Sequence, residues 1–97
     1  MWSRYRIPSK AKRLVMKRKR TQDDYKVVEE ADYKGYGVRV VCGYSALDDE
    51  YIVHLYIAPP TGPEIRVFEP PRRENHRDDA LDLAFSEAQG EIDFLTS

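Results

Sequence analysis

The chain has 97 residues, 41% of them hydrophobic and 34% charged, which gives room for one domain with a single modest core and excludes two independent ones. Its net charge of -1 hides a division: the first 20 residues hold nine of the 16 lysines and arginines and no acid, leaving seven basic residues against all 17 acids in the rest. Cys42 is the lone cysteine, which excludes an intramolecular disulfide framework. Charged residues interrupt the amino terminus where a signal peptide needs an apolar region, and the longest apolar run, YIVHLYIA, is too short to span a bilayer, so a cytoplasmic protein without membrane contact is expected.

In chain order, the opening segment is the most basic. KAKRLVMKRKR, residues 10–20, places seven cations in eleven positions. Pro8 with Ile7, Ala11, Leu14 and Val15 at three- and four-residue steps fits a short amphipathic helix, while like charges four residues apart oppose one and favour an extended arm. Residues 1–20 are therefore set apart as a basic arm or short helix, and residues 21–97 as a single small domain. TQDD at 21–24 reads as a turn, and YKVVEEADY at 25–33 as a strand in preference to a helix. GYGVRVVCG (35–43), YIVHLYIA (51–58) and IRVFE (65–69) follow as β-rich runs punctuated by glycine, proline and the polar links YSALDDE and TGPE. A charged loop, RRENHRDD, precedes a helix capped by Asn75 or Asp78, whose Leu81, Ala84, Phe85, Ala88, Ile92 and Leu95 share one face. Its late acids, Glu91 and Asp93, oppose the helix dipole and call for a cation, which the basic arm is expected to supply.

The fold class that follows is α+β: a three- or four-stranded antiparallel sheet with the carboxy-terminal helix packed on one face. Period-two alternation puts Val38, Val40, Cys42, Val53, Leu55, Ile57, Ile65 and Val67 beneath the helix and Arg39, Val41, Ile52, His54, Tyr56, Arg66 and Phe68 on the opposite face. The order of GYGV, the Y-x-V-x-L-x-I strand and ALDLAFSEAQGEID resembles a group of small uncharacterised bacterial domains with a meander followed by a helix. The resemblance covers about residues 33–95 and implies a fold, with no activity or site residues to carry over. The basic arm lies outside it.

Motifs for catalysis are missing from the sequence. His54 falls inside a strand and His76 in a loop, neither set beside a nucleophile. One cysteine and two distant histidines supply no zinc cage, DDE at 48–50 lacks the ligand spacing of a calcium loop, and no phosphate-cradling glycine motif occurs. No enzyme, cofactor or metal is expected. The expected function is binding of nucleic acid or another polyanion. Arg4, Arg6, Lys10, Lys12, Arg13, Lys17, Arg18, Lys19 and Arg20 would meet phosphates, and Arg39, His54, Tyr56, Arg66 and Phe68 would form an arginine and aromatic platform on the sheet. Against the platform stand the absence of an RRM signature and the apolar Val41 and Ile52, which call for cover by the amino-terminal segment or a second subunit. The alternative is a protein-interaction module, either a homodimer through that second face or a small phage-type regulator whose acidic body imitates nucleic acid.

Overall fold

The computed structural model describes residues 16–23 and 25–97. They form β1 (Lys19–Gln22), β2 (Lys26–Tyr33), β3 (Tyr36–Ser45), β4 (Glu50–Ala58), β5 (Ile65–Arg66), β6 (Arg72–Glu74) and α1 (Arg77–Leu95). β1 to β5 lie side by side in chain order with every neighbour antiparallel, and β6 pairs with β4 on the edge that β5 also uses. The α+β class and the carboxy-terminal helix hold, but the sheet is wider than three or four strands. The added strands, β1 and β6, come from segments read as arm, turn and charged loop. Both are short polar edge strands, whose backbone pairing leaves little trace in a hydrophobic pattern. β1 runs through position 20, so the end of the basic strip belongs to the sheet.

The β2–β3 hairpin turns on Lys34 and Gly35, both at positive φ (52° and 82°). This is the two-residue turn whose twist suits antiparallel strands, and glycine takes its second position without strain. Alternation then works as expected in the centre of the sheet. Val38, Val40, Cys42, Val53, Leu55 and Ile57 are buried against Ala80, Leu81, Ala84, Phe85, Ala88 and Ile92 of α1, joined by Val27, Ala31 and Tyr33 of β2. Burial pushes the Cys42 thiol above its ordinary pKa, as suits a core residue rather than a nucleophile.

Four details of the sequence reading change. His76, not Asn75 or Asp78, takes the cap position of α1 and makes no side-chain capping bond; Asp78 and Asp79 lie in the first turn instead, where the dipole favours them. Leu95 in the last turn is half exposed. Ile65 is 50% exposed, since β5 contributes only two paired residues at an edge. Phe68 is 5% exposed and belongs to the core, not to the outer face. Its inversion has a geometric cause. From Tyr56 to Ile52 β4 advances four residues, while their partners, Arg66 and Arg73, are seven apart. Three extra residues bulge from the outer strand, alternation fails, and Phe68 turns inward beneath Arg72, whose guanidinium carbon is 4.6 Å from the ring centroid.

Among the described residues, the cation at the end of α1 is Lys34 of the β2–β3 turn; residues 1–15 of the basic arm lie outside the described residues. Asp93 accepts hydrogen bonds of 2.7 Å from the Tyr33 hydroxyl and the Lys34 ammonium, both brought there by the β2–β3 hairpin. The bond to Asp93, with burial adding to it, holds the Tyr33 pKa above its ordinary value, and the same acceptor raises that of Lys34. Both groups favour their protonated forms in the fold, so their contribution is complete below about pH 10 and is lost as pH rises through the raised values. Thermal unfolding followed from about pH 8 to about pH 12 is expected to show a steeper alkaline loss of stability in the native chain than in Tyr33→Phe, which has no phenol to ionise. Equal slopes would remove Tyr33 from this role.

Candidate interaction surface

Alternation along β1 divides the basic strip between the two sides of the sheet. Arg18 and Arg20 point to the helix side, where Glu29 stands in a core position of β2 at 4% exposure. Arg20 donates to Glu29 Oε2 at 2.7 Å, and Arg18 Nε lies 3.2 Å from Oε1 as an ion contact without hydrogen-bond alignment. Arg18 also donates to Asp82 of α1 at 2.9 Å and lies over the Phe85 ring, 4.7 Å from its centroid. These two cations are therefore engaged by carboxylates of their own chain, and they tie β1 to β2 and α1. Lys17 and Lys19 reach the opposite side, where they line a depression of about 360 Å³ together with Glu30, Asp32, Arg39 and Glu64. Its floor is low because Gly37 and Ala58 face each other there. Arg4, Arg6, Lys10, Lys12 and Arg13 lie outside the described residues.

On this outer face the strand register writes three rows. The first runs Lys19, Glu30, Arg39, Tyr56, Arg66 across five strands; the second Thr21, Val28, Val41, His54; the third Lys26, Gly43, Ile52, Arg73. Val28, Val41 and Ile52 are partly buried and contiguous, and no described strand or helix packs over them. Helix α1 serves the other face.

The platform expected from sequence is only partly assembled. Arg39, His54, Tyr56 and Arg66 do share the face, whereas Phe68 has left it. Arg39 donates two hydrogen bonds to Glu64, at 2.7 and 3.3 Å, which hold its pKa above the ordinary value against the effect of burial. The same guanidinium covers Tyr56 at 4.4 Å, so that ring face is already occupied. His54 stacks on Tyr56 at 6.3 Å and 11°, and its buried Nδ1 has no hydrogen-bond partner among the described residues. Arg66 lies 3.8 Å from Glu69, and Arg73 bridges Asp48 and Glu50 at 3.3 and 3.1 Å. The three arginines of the face are thus each paired with carboxylates of their own chain, while Lys17, Lys19 and Lys26 form no ion pair among the described residues.

Lys26, Val28 and Glu30 belong to this face and were not among the residues singled out from sequence. Their signal is the spacing of two around Val28, obscured because the neighbouring core positions include the charged Glu29. Among the described residues no cluster of three or more His, Cys, Asp and Glu is arranged to hold a metal, and no helix is long and apolar enough to cross a membrane. No protein-family model matches the chain, and no curated protein or solved structure is significantly similar to it. Function is therefore read from the geometry of this face.

Proposed function

We propose that the protein is a non-catalytic binding module that docks the sheet face opposite α1 onto the surface of a protein. One observation carries this reading: the contiguous Val28, Val41 and Ile52 lie on the sheet face opposite α1, between a row with Lys19, Glu30, Arg39 and Arg66 and a row with Lys26 and Arg73, and no described strand or helix covers them. An apolar centre with a mixed polar rim is the anatomy of a protein interface. A single-stranded nucleic acid needs free rings on which to stack, and here one ring is in the core and the other lies beneath a guanidinium. A photo-crosslinking residue placed at position 41 in the native host is expected to give a covalent product with a protein, resistant to nuclease. The same label at the exposed loop residue Leu47 should give none. No product at position 41, or one that nuclease destroys, would reject the reading.

Lys17 and Lys19 favour a second reading, polyanion binding, because neither forms an ion pair among the described residues and both face outward. If this reading holds, generic DNA or RNA binds at low salt and is released as salt rises, and Lys17→Ala with Lys19→Ala lowers the slope of log affinity against log salt by about 2. Binding that ignores both substitutions would dismiss it.

A further inference from the structure

The rows of the outer face complement one another under a simple rotation. We propose that the occupant of this face is a second copy of the chain, packed sheet to sheet about a two-fold axis along the row Thr21, Val28, Val41, His54. This rests on the docking reading above and names its partner. The ground is register. A two-fold axis along a row lays each strand on its own counterpart and exchanges the residues on either side of that row. On β2, Val28 is flanked by Lys26 and Glu30, both exposed, so the rotation sets Glu30 of each copy against Lys26 of the other. One pair of residues thereby makes two ion pairs. On β3, Val41 is flanked by Arg39 and Gly43, and the bulky guanidinium meets the position with no side chain. On β4, His54 is flanked by Tyr56 and Ile52, so Ile52 of each copy faces the other's Tyr56 with the Arg39 guanidinium that covers it. At the axis Thr21, Val28, Val41 and His54 each meet their own equivalents.

The far edge brings Arg66 and Arg73 together, each with a carboxylate of its own at hand: Glu69 for the first, Asp48 and Glu50 for the second. An axis parallel to the strands is worse, since it lays β1 on β5 and sets Lys19 against Arg66 without an acid exchanged between them. Sheets packed face to face cross at about 30° and stand about 10 Å apart, within reach of lysine and glutamate side chains.

Light scattering of the purified full chain over a range of concentrations tests this. A dimer is expected. Val41→Glu, which confronts two carboxylates at the axis, should raise its dissociation constant at least about a hundredfold. Lys26→Glu or Glu30→Lys alone should weaken it about tenfold, and the two combined in one chain should restore the native value to within about threefold. Both positions are exposed, so this exchange decides the matter even if Val41→Glu does not fold. A chain that stays monomeric, a dimer indifferent to Val41→Glu, or a charge exchange without recovery would each overturn the proposal. A monomeric chain that still crosslinks to another protein through position 41 would remove the second copy and leave the docking reading standing.

Discussion

Replacing Arg18 and Arg20 together by methionine is expected to destabilise the protein by about 3–5 kcal/mol, the cost of leaving a buried carboxylate without its partners. Glu29 is the group at stake, because its side chain is 5% exposed while those of the two arginines are 30% and 37% exposed. Chemical denaturation measures the difference. A domain of this size has about 5–15 kcal/mol in all, so the double variant approaches the point where the fold fails. The matched substitution of Lys17 and Lys19 by methionine should change stability by no more than about 0.5 kcal/mol, since these two side chains face outward and bear on no core group. Adding Glu29→Leu to the arginine double variant should recover most of the loss, as replacing a whole buried ion cluster by apolar side chains is often neutral or favourable. Equal effects from the arginine and lysine pairs would show that alternation does not divide the strip.

Truncating Phe68 to alanine is expected to cost about 3–5 kcal/mol, the usual penalty for emptying a core aromatic site. The ring fills the space made where the outer strand bulges between β5 and β6, and its loss also removes the surface on which Arg72 lies. Arg72 reaches Glu87 of α1 at 3.1 Å, so the bulge is coupled to the helix. Ile65→Ala, two positions before Val67 and half exposed, should cost less than about 1 kcal/mol by comparison. Thermal or urea unfolding of the two variants side by side checks the contrast. A Phe68→Ala protein as stable as Ile65→Ala would return Phe68 to the surface and reopen the stacking platform.

These two expectations bear directly on function. Each takes residues that composition assigns to nucleic-acid recognition and places them in the framework of the fold. Among the described residues, the face opposite α1 keeps the apolar Val28, Val41 and Ile52 with charged neighbours, and the docking proposal rests on that patch. Lys17 and Lys19 are what the described part of the basic strip still offers to an anion.

The central meander and the helix are legible from the residues alone, because Val38, Val40, Cys42, Val53, Leu55 and Ile57 repeat every second position while Leu81, Ala84, Phe85, Ala88 and Ile92 repeat every third or fourth. Burial of one face imposes those periods, so hydrophobic pattern and structure agree there. Tertiary structure alone decided the rest. β1 and β6 are edge strands held by backbone pairing, which no pattern of side chains announces. The inversion of Phe68 follows from a three-residue offset in register, a property of two strands taken together. Glu29 can occupy a core position only because Arg18 and Arg20 reach it from the neighbouring strand. The amount and order of charge are properties of the residues alone; the pairing of strands decided which of those charges are neutralised inside and which stay exposed.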